Sequence, residues 1–147
     1  MELYALSELT KKQSRLFISA DLGIHVFGAD AKDLFANAAF ALFDLIADIN
    51  ALKGLNEYEV HITGDDWPDT MVNWLRELLY LWTCKEMLVK ITDISYLTEH
   101  ELTATVKFDP YDPDRHEIKN EIKAVTYHQI QVEKGPLGWK SKIIFDV

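Results

Sequence analysis

The 147-residue sequence is short of cysteine and of positive charge, and both shortages exclude something. Cys84 is the single cysteine, so an internal disulfide is ruled out and a reducing cytoplasm is the expected setting. Lysine and arginine number 15 against 24 acids, giving a net charge of -9 and a sequence pI near 4.9. A surface of that sign repels a phosphate backbone, so direct nucleic-acid binding is not expected. Lys140 and Lys142 alternate on one strand face, too few for a basic footprint. No apolar run reaches the length of a membrane span, and the opening residues lack the paired basic and apolar regions of a leader. No zinc spacing joins His25, His61, His100, His116 and His128.

What is present suits one folded domain over 1–147. Hydrophobic residues make up 48% and aromatics 12%, which argues against disorder. Residues 1–16 are an uncertain N-terminal extension. Phe17 to Phe27 alternates as a strand with Ala20, Leu22, Ile24 and Val26 inward and Asp21, Gly23, His25 and Phe27 outward. Asp30 is placed to cap a helix over Ala31 to Ile46, with Phe35 and Leu42 as core anchors. A second strand, Tyr58 to Gly64, precedes a helix reaching about Cys84. The acids Asp65, Asp66 and Asp69 at its start are better explained by capping and by the helix dipole than by a metal.

Met87 to Leu97 and Glu101 to Phe108 form a hairpin through Thr98, Glu99 and His100. Phe108 to His116 reads as a proline-broken surface loop. Glu121 to Val132 alternates as a strand with Ile122, Ala124, Thr126, His128, Ile130 and Val132 on one face. Lys123 falls on the wetter face, with Glu121, Val125 and Tyr127. After a turn at Gly135 to Gly138, Trp139 to Asp146 is the last strand, with Lys140, Lys142, Ile144 and Asp146 outward. The predicted class is α+β: a two-layer domain, with a largely antiparallel sheet of about six strands and two helices packed on one face. No internal repeat is apparent.

Three stretches resemble one family. Glu121-Ile122-Lys123-Ala124-Val125-Thr126-Tyr127-His128 resembles the signature of the archeases, small acidic proteins that assist the RtcB-type RNA ligase. Ser19-Ala20-Asp21-Leu22-Gly23-Ile24 is similar to the family's His-Thr-Ala-Asp-(Ile/Val)-Gly segment. Ile143-Ile144-Phe145-Asp146-Val147 is similar to its closing Val-Ile-Leu-Asp-Ile. The resemblance runs from about Phe17 to the last residue. One departure is that Ile18 and Ser19 stand where the family has His-Thr, and Ile18 cannot ligate a metal.

Strand parity alone places Asp21, Lys123 and Asp146 on the less apolar face of their strands, without saying whether the strands are neighbours. The resemblance implies that they are. It also implies that Asp21 and Asp146 bind a metal, that Val147 adds an oxygen, and that Lys123 is needed for function. Such an all-oxygen site favours Ca²⁺, with Mg²⁺ or Mn²⁺ as alternatives, over Zn²⁺. Lys123 would either pair with Asp21 or Asp146 or contact a phosphate or carboxylate of the partner complex, although an exposed lysine is most often half of a plain surface ion pair.

The function implied is a non-enzymatic, cytoplasmic accessory factor. It would promote guanylylation and turnover of an RtcB-type RNA ligase in tRNA splicing or RNA repair. Two other classes compete. A metal-dependent hydrolase would use Asp21 and Asp146, but no paired His, activated Ser or Cys, or phosphate-cradling glycine loop accompanies them. A general chaperone or interaction module would use Phe27, Val125, Tyr127 and Ile144, a small apolar patch among polar neighbours.

Overall fold

A computed structural model describes residues 4–6 and 21–147. The predicted start of the first strand, residues 17–20, lies outside the described residues, as do Ile18 and Ser19. In chain order the elements are β1 (Tyr4–Leu6), β2 (Asp21–Gly28), α1 (Ala31–Ile46), a short 3₁₀ turn (Ile49–Ala51), β3 (Asn56–Thr63) and α2 (Trp67–Lys85). Four strands follow: β4 (Met87–Leu97), β5 (Glu101–Pro110), β6 (Ala124–Gly135) and β7 (Gly138–Asp146). The α+β class and the antiparallel pairing are those the sequence predicts. The strands are shared between two sheets, ordered β1-β2-β7-β6 and β3-β5-β4, where one sheet of about six was expected. Both helices pack against strands of both sheets.

The two sheets share one plan. Each contains a strand, a helix and two further strands, with the last strand in the middle: β2-α1-β6-β7 and β3-α2-β4-β5. The second unit is inserted between α1 and β6 of the first. The two strand–helix junctions also match in residue type and spacing. Gly28, Asp30, Asp33 and Asn37 recur as Gly64, Asp66, Asp69 and Asn73 at the same offsets.

In both junctions the N-cap aspartate accepts the backbone N–H three residues on, Asp33 to Asp30 at 2.8 Å and Asp69 to Asp66 at 2.9 Å. Both second aspartates reach back to an amide before the helix, Ala29 to Asp33 and Asp65 to Asp69, each at 2.8 Å. Both asparagines donate to the end of the preceding strand, Asn37 to Phe27 O at 2.7 Å and Asn73 to Thr63 O at 2.8 Å. A Cβ on Gly28 would overlap the Leu34 backbone, and one on Gly64 would overlap Thr70, so close approach requires glycine twice. The sequence therefore does hold an internal repeat. It escapes notice because only four polar and glycine positions carry it.

One core joins the units. Leu34, Phe35, Leu42 and Phe43 of α1 and Met71, Trp74, Leu75 and Leu78 of α2 are completely buried. Trp74 donates its indole N–H to Phe35 O at 2.9 Å, which satisfies a buried polar atom and ties the helices together. Inward positions of the strands follow the predicted parity for Leu22, Ile24 and Val26, for Val60 and Ile62, and for Ile143 and Phe145.

The segment after β5 corrects the surface-loop expectation. Asp109 and His116 are each only 8% exposed. The Asp109 carboxylate accepts from the amides of Lys53 at 2.6 Å, Gly54 at 2.8 Å and Leu55 at 3.2 Å. His116 stacks on Tyr111 and accepts the Asp112 N–H at 3.0 Å. Proline and aspartate here mark a clasp that seals the end of β5 to the chain before β3.

Burial works to raise the Asp109 carboxyl. The amides of Lys53, Leu55 and Gly54, with His116 beside them, outweigh it and hold Asp109 below the usual carboxylate range. A depressed folded-state value means that its stabilisation is present above the unfolded value and is lost as pH falls through the folded one. Asp109→Ala is expected to lower stability at neutral pH by about 2–3 kcal/mol, and to flatten the acid limb of stability against pH. Chemical denaturation across that range measures both.

Candidate functional site

The register of the first sheet decides what the predicted residues can do together. β2 and β7 pair antiparallel with Asp21 opposite Asp146, followed on the open face by Gly23 opposite Ile144, His25 opposite Lys142 and Phe27 opposite Lys140. Directly opposed residues on one face hold their Cβ atoms about 4.5–5.5 Å apart. Two carboxylates therefore rise side by side at one end of the sheet. Asp21 is exposed, and Asp146 and Val147 are half-buried, with Val147 packed against the core.

Lys123 arrives at the same end by a route that parity did not foresee. The strand starts at Ala124, not Glu121, and Lys123 is an exposed residue of the segment leading into it. Its backbone N–H donates to Asp146 O at 2.7 Å. Ala124 sits opposite Asp146 and Thr126 opposite Ile144, so these two occupy the open face. Val125, opposite Phe145, turns inward and is 1% exposed. It does not belong to the outward patch proposed for it, and Ile144 is itself buried. Among the described residues the Lys123 ammonium forms no ion pair with a carboxylate.

The alternation also breaks inside β6. Between the pairs Thr126–Ile144 and Gln131–Lys142 the strand carries extra residues, and Gln129 adopts φ 53, a left-handed conformation. Inward and outward positions exchange across this bulge. A cluster from α2 grips it. Arg76 donates through Nε to Val125 O at 3.1 Å and places its guanidinium 4.5 Å from the centre of the Tyr127 ring. The Tyr127 hydroxyl donates to Asp69 Oδ1 at 2.7 Å. Gln129 is held by Lys142 Nζ at 2.7 Å. Sequence reading missed this grip because Asp69 was assigned to helix capping alone. The repeated Asp33/Asp69 position was the available signal.

The hydrogen bond from Tyr127, with the Asp65 amide and Arg76 in support, keeps the Asp69 carboxyl below its ordinary value. The same bond raises the Tyr127 phenol.

The protein defined by this geometry is a small acidic α+β domain whose first and last described long strands join two carboxylates at one sheet end. The chain belongs to the archease protein family, which matches residues 16–147. It is 35% identical over 141 residues to the archease of Methanosarcina mazei, covering 93% of this chain and 97% of that one. Identity to the Methanopyrus kandleri archease is 33% over 132 residues, covering 88% and 94%. The solution structure of Methanobacterium thermoautotrophicum protein 1598 superposes over the whole of both chains with a TM-score of 0.76 at 25% identity. No helix among the described residues is long and apolar enough to cross a membrane.

Tyr127→Phe is expected to return the Asp69 carboxyl toward its ordinary value and to remove one high-titrating phenol. Carbon-detected NMR of the Asp69 carboxyl and ultraviolet titration of the tyrosines read these separately. An unchanged Asp69 titration would overturn the assigned grip.

Proposed function

We propose that this archease is a non-enzymatic accessory factor that activates an RtcB-type RNA ligase in the cytoplasm, promoting its guanylylation and multiple turnover in tRNA splicing or RNA repair. In this reading Asp21 and Asp146, with an oxygen of Val147, hold a divalent cation, Ca²⁺ before Mg²⁺ or Mn²⁺. Lys123 contacts the ligase complex or the cation site. The observation that carries the reading is the register pairing of Asp21 with Asp146, beside which the Lys123 backbone is fixed.

The donor chemistry fits a hard cation. Two carboxylates and a main-chain or carboxylate oxygen offer no sulfur or imidazole. They also fall short of the 6–8 oxygens that Ca²⁺ prefers. Water or a group from the partner would complete the shell, which suits an accessory role at a shared site. A bound cation would offset the repulsion of two facing carboxylates.

Two measurements test the two halves separately. With Ca²⁺ at 100 times its dissociation constant, thermal unfolding should show a gain of about 2.7 kcal/mol, and Asp146→Asn should abolish it. An equal gain in the variant would remove the cation from this end. In multiple-turnover ligation with an RtcB-type ligase, Lys123→Ala should lower stimulation at least about tenfold, the loss of one charge-assisted contact. Full stimulation by the variant would remove Lys123 from the contact.

A further inference from the structure

The two strand–helix junctions are built from the same parts, yet one is covered where the other is open. At the second junction Asp69 uses both oxygens: Oδ2 accepts the Asp65 N–H at 2.8 Å, and Oδ1 accepts the Tyr127 hydroxyl at 2.7 Å beneath the Arg76 guanidinium. At the first junction Asp33 Oδ2 accepts the Ala29 N–H at 2.8 Å in the same way. Among the described residues no donor reaches its Oδ1. Where the second junction has a tyrosine ring, the first has a groove of about 520 Å³ lined by Phe27, Ala29, Asp33, Leu137, Trp139 and Lys140 among others, with the Lys140 ammonium 3.7 Å from a Glu133 carboxylate oxygen.

The walls of the groove are unusual for a surface that meets only water. Leu137, in the two-residue tip of the β6–β7 hairpin, is 101% exposed, and Phe27 is 48% exposed. A leucine held wholly in solvent adds nothing to the core, and the half-exposed phenylalanine beside it makes the exposed apolar surface continuous. The chain just after the hairpin tip lies close against the end of β2, because a Cβ on Gly138 would overlap Gly28 O.

We propose that this groove receives a tyrosine-bearing segment of a protein partner, with a lysine or arginine next to the tyrosine. The ring lies against Phe27, Leu137 and Trp139, and its hydroxyl donates to Asp33 Oδ1, reproducing what Tyr127 does at Asp69. The neighbouring cation meets Asp30 and Asp33, as Arg76 meets Tyr127 and Asp69, and it suits a chain of net charge -9. Tyrosine fits such a place because one side chain brings an apolar face and a polar tip. The groove lies at the Gly28–Trp139 end of the β2–β7 pair and the two carboxylates at the Asp21–Asp146 end, so both can be engaged at once.

The test is NMR titration of the ¹⁵N-labelled full chain with the peptide acetyl-Gly-Arg-Tyr-Gly-amide and its phenylalanine counterpart. Saturable shifts are expected at the amides of Gly28, Ala29, Leu137 and Gly138, and at the Trp139 indole, with the Asp21–Asp146 end unmoved. The phenylalanine peptide should bind about tenfold more weakly. Asp33→Asn should weaken the tyrosine peptide by a similar factor. That variant keeps an oxygen for the Ala29 amide, and so the helix cap, while replacing the second acceptor by a donor. Leu137→Ser, at an exposed turn that leaves the core untouched, should weaken both peptides. Absence of saturable shifts overturns the proposal, as does equal affinity for the two peptides or for the Asp33→Asn protein. Concentration-dependent broadening of the same amides without peptide also overturns it, by showing that a second copy fills the groove.

Discussion

The pairing of β7 on both sides is the constraint on which the rest of the first sheet depends. β7 is the last strand in the chain, and it lies between β2, from near the start, and β6, its hairpin partner. Its β2 pairing alone brings Asp146 to Asp21, His25 to Lys142 and Phe27 to Lys140. Like charges placed directly opposite one another in an antiparallel pair are unfavourable. Asp21 opposite Asp146 is thus a position where the fold gains from any counter-charge that can be brought to it. The next outward-facing pair but one, His25 and Lys142, carries the opposite tendency, and the open face changes character along the strands. Because these contacts join distant parts of the chain, their loop-closure entropy must be met before they stabilise anything.

The duplicated plan explains how so distant a pairing stays in register. Within each unit the strand and the helix after it are locked by the same four residues: a glycine that permits close approach, two aspartates and an asparagine. The inserted unit is continuous in sequence, from β3 through α2 to the β4–β5 hairpin. The outer unit is not, and relies on anchors. Lys119 donates its backbone N–H to Ile46 O at 2.7 Å, Asn120 donates its side chain to Leu45 O at 2.6 Å, and Ile122 is buried. These hold the segment before β6 against the end of α1, so β6 starts at a fixed point. Lys123 inherits its place beside Asp146 from that anchoring.

Much of this was legible from periodicity. Both helices, the parity of β2, β3 and β7, the Asp30 cap and the β4–β5 hairpin follow from spacing and turn chemistry, because each expresses a local preference that the tertiary structure endorses. Parity failed in β6 for a physical reason. Alternation is a reliable guide only while every residue of a strand is paired, and here the ladder begins three residues later than the pattern suggests and then bulges between Thr126 and Gln131. Val125 was accordingly assigned to the wrong face. The Asp109 clasp was illegible for a different reason: its acceptors are satisfied by backbone amides of Lys53, Gly54 and Leu55, which leave no side-chain signature. The division into two sheets was equally hidden, since period-two patterns report faces and not neighbours.

The junction carboxylates show how one motif can serve two ends. A capping aspartate needs only one oxygen for its amide, and a second remains for whatever the surroundings offer. At Asp69 the surroundings include the bulge of β6, so the spare oxygen takes Tyr127 and helps hold that strand against α2. At Asp33 the surroundings are the β6–β7 hairpin, whose walls are mostly apolar, and among the described residues no donor reaches the second oxygen. The difference follows from the insertion itself. The inserted unit faces the bulge of β6 across its junction, whereas the outer unit's own junction faces the β6–β7 hairpin tip. The recurring plan thus gives the molecule two equivalent polar positions, in which the first oxygen takes a backbone amide in both while the second is committed to structure in only one.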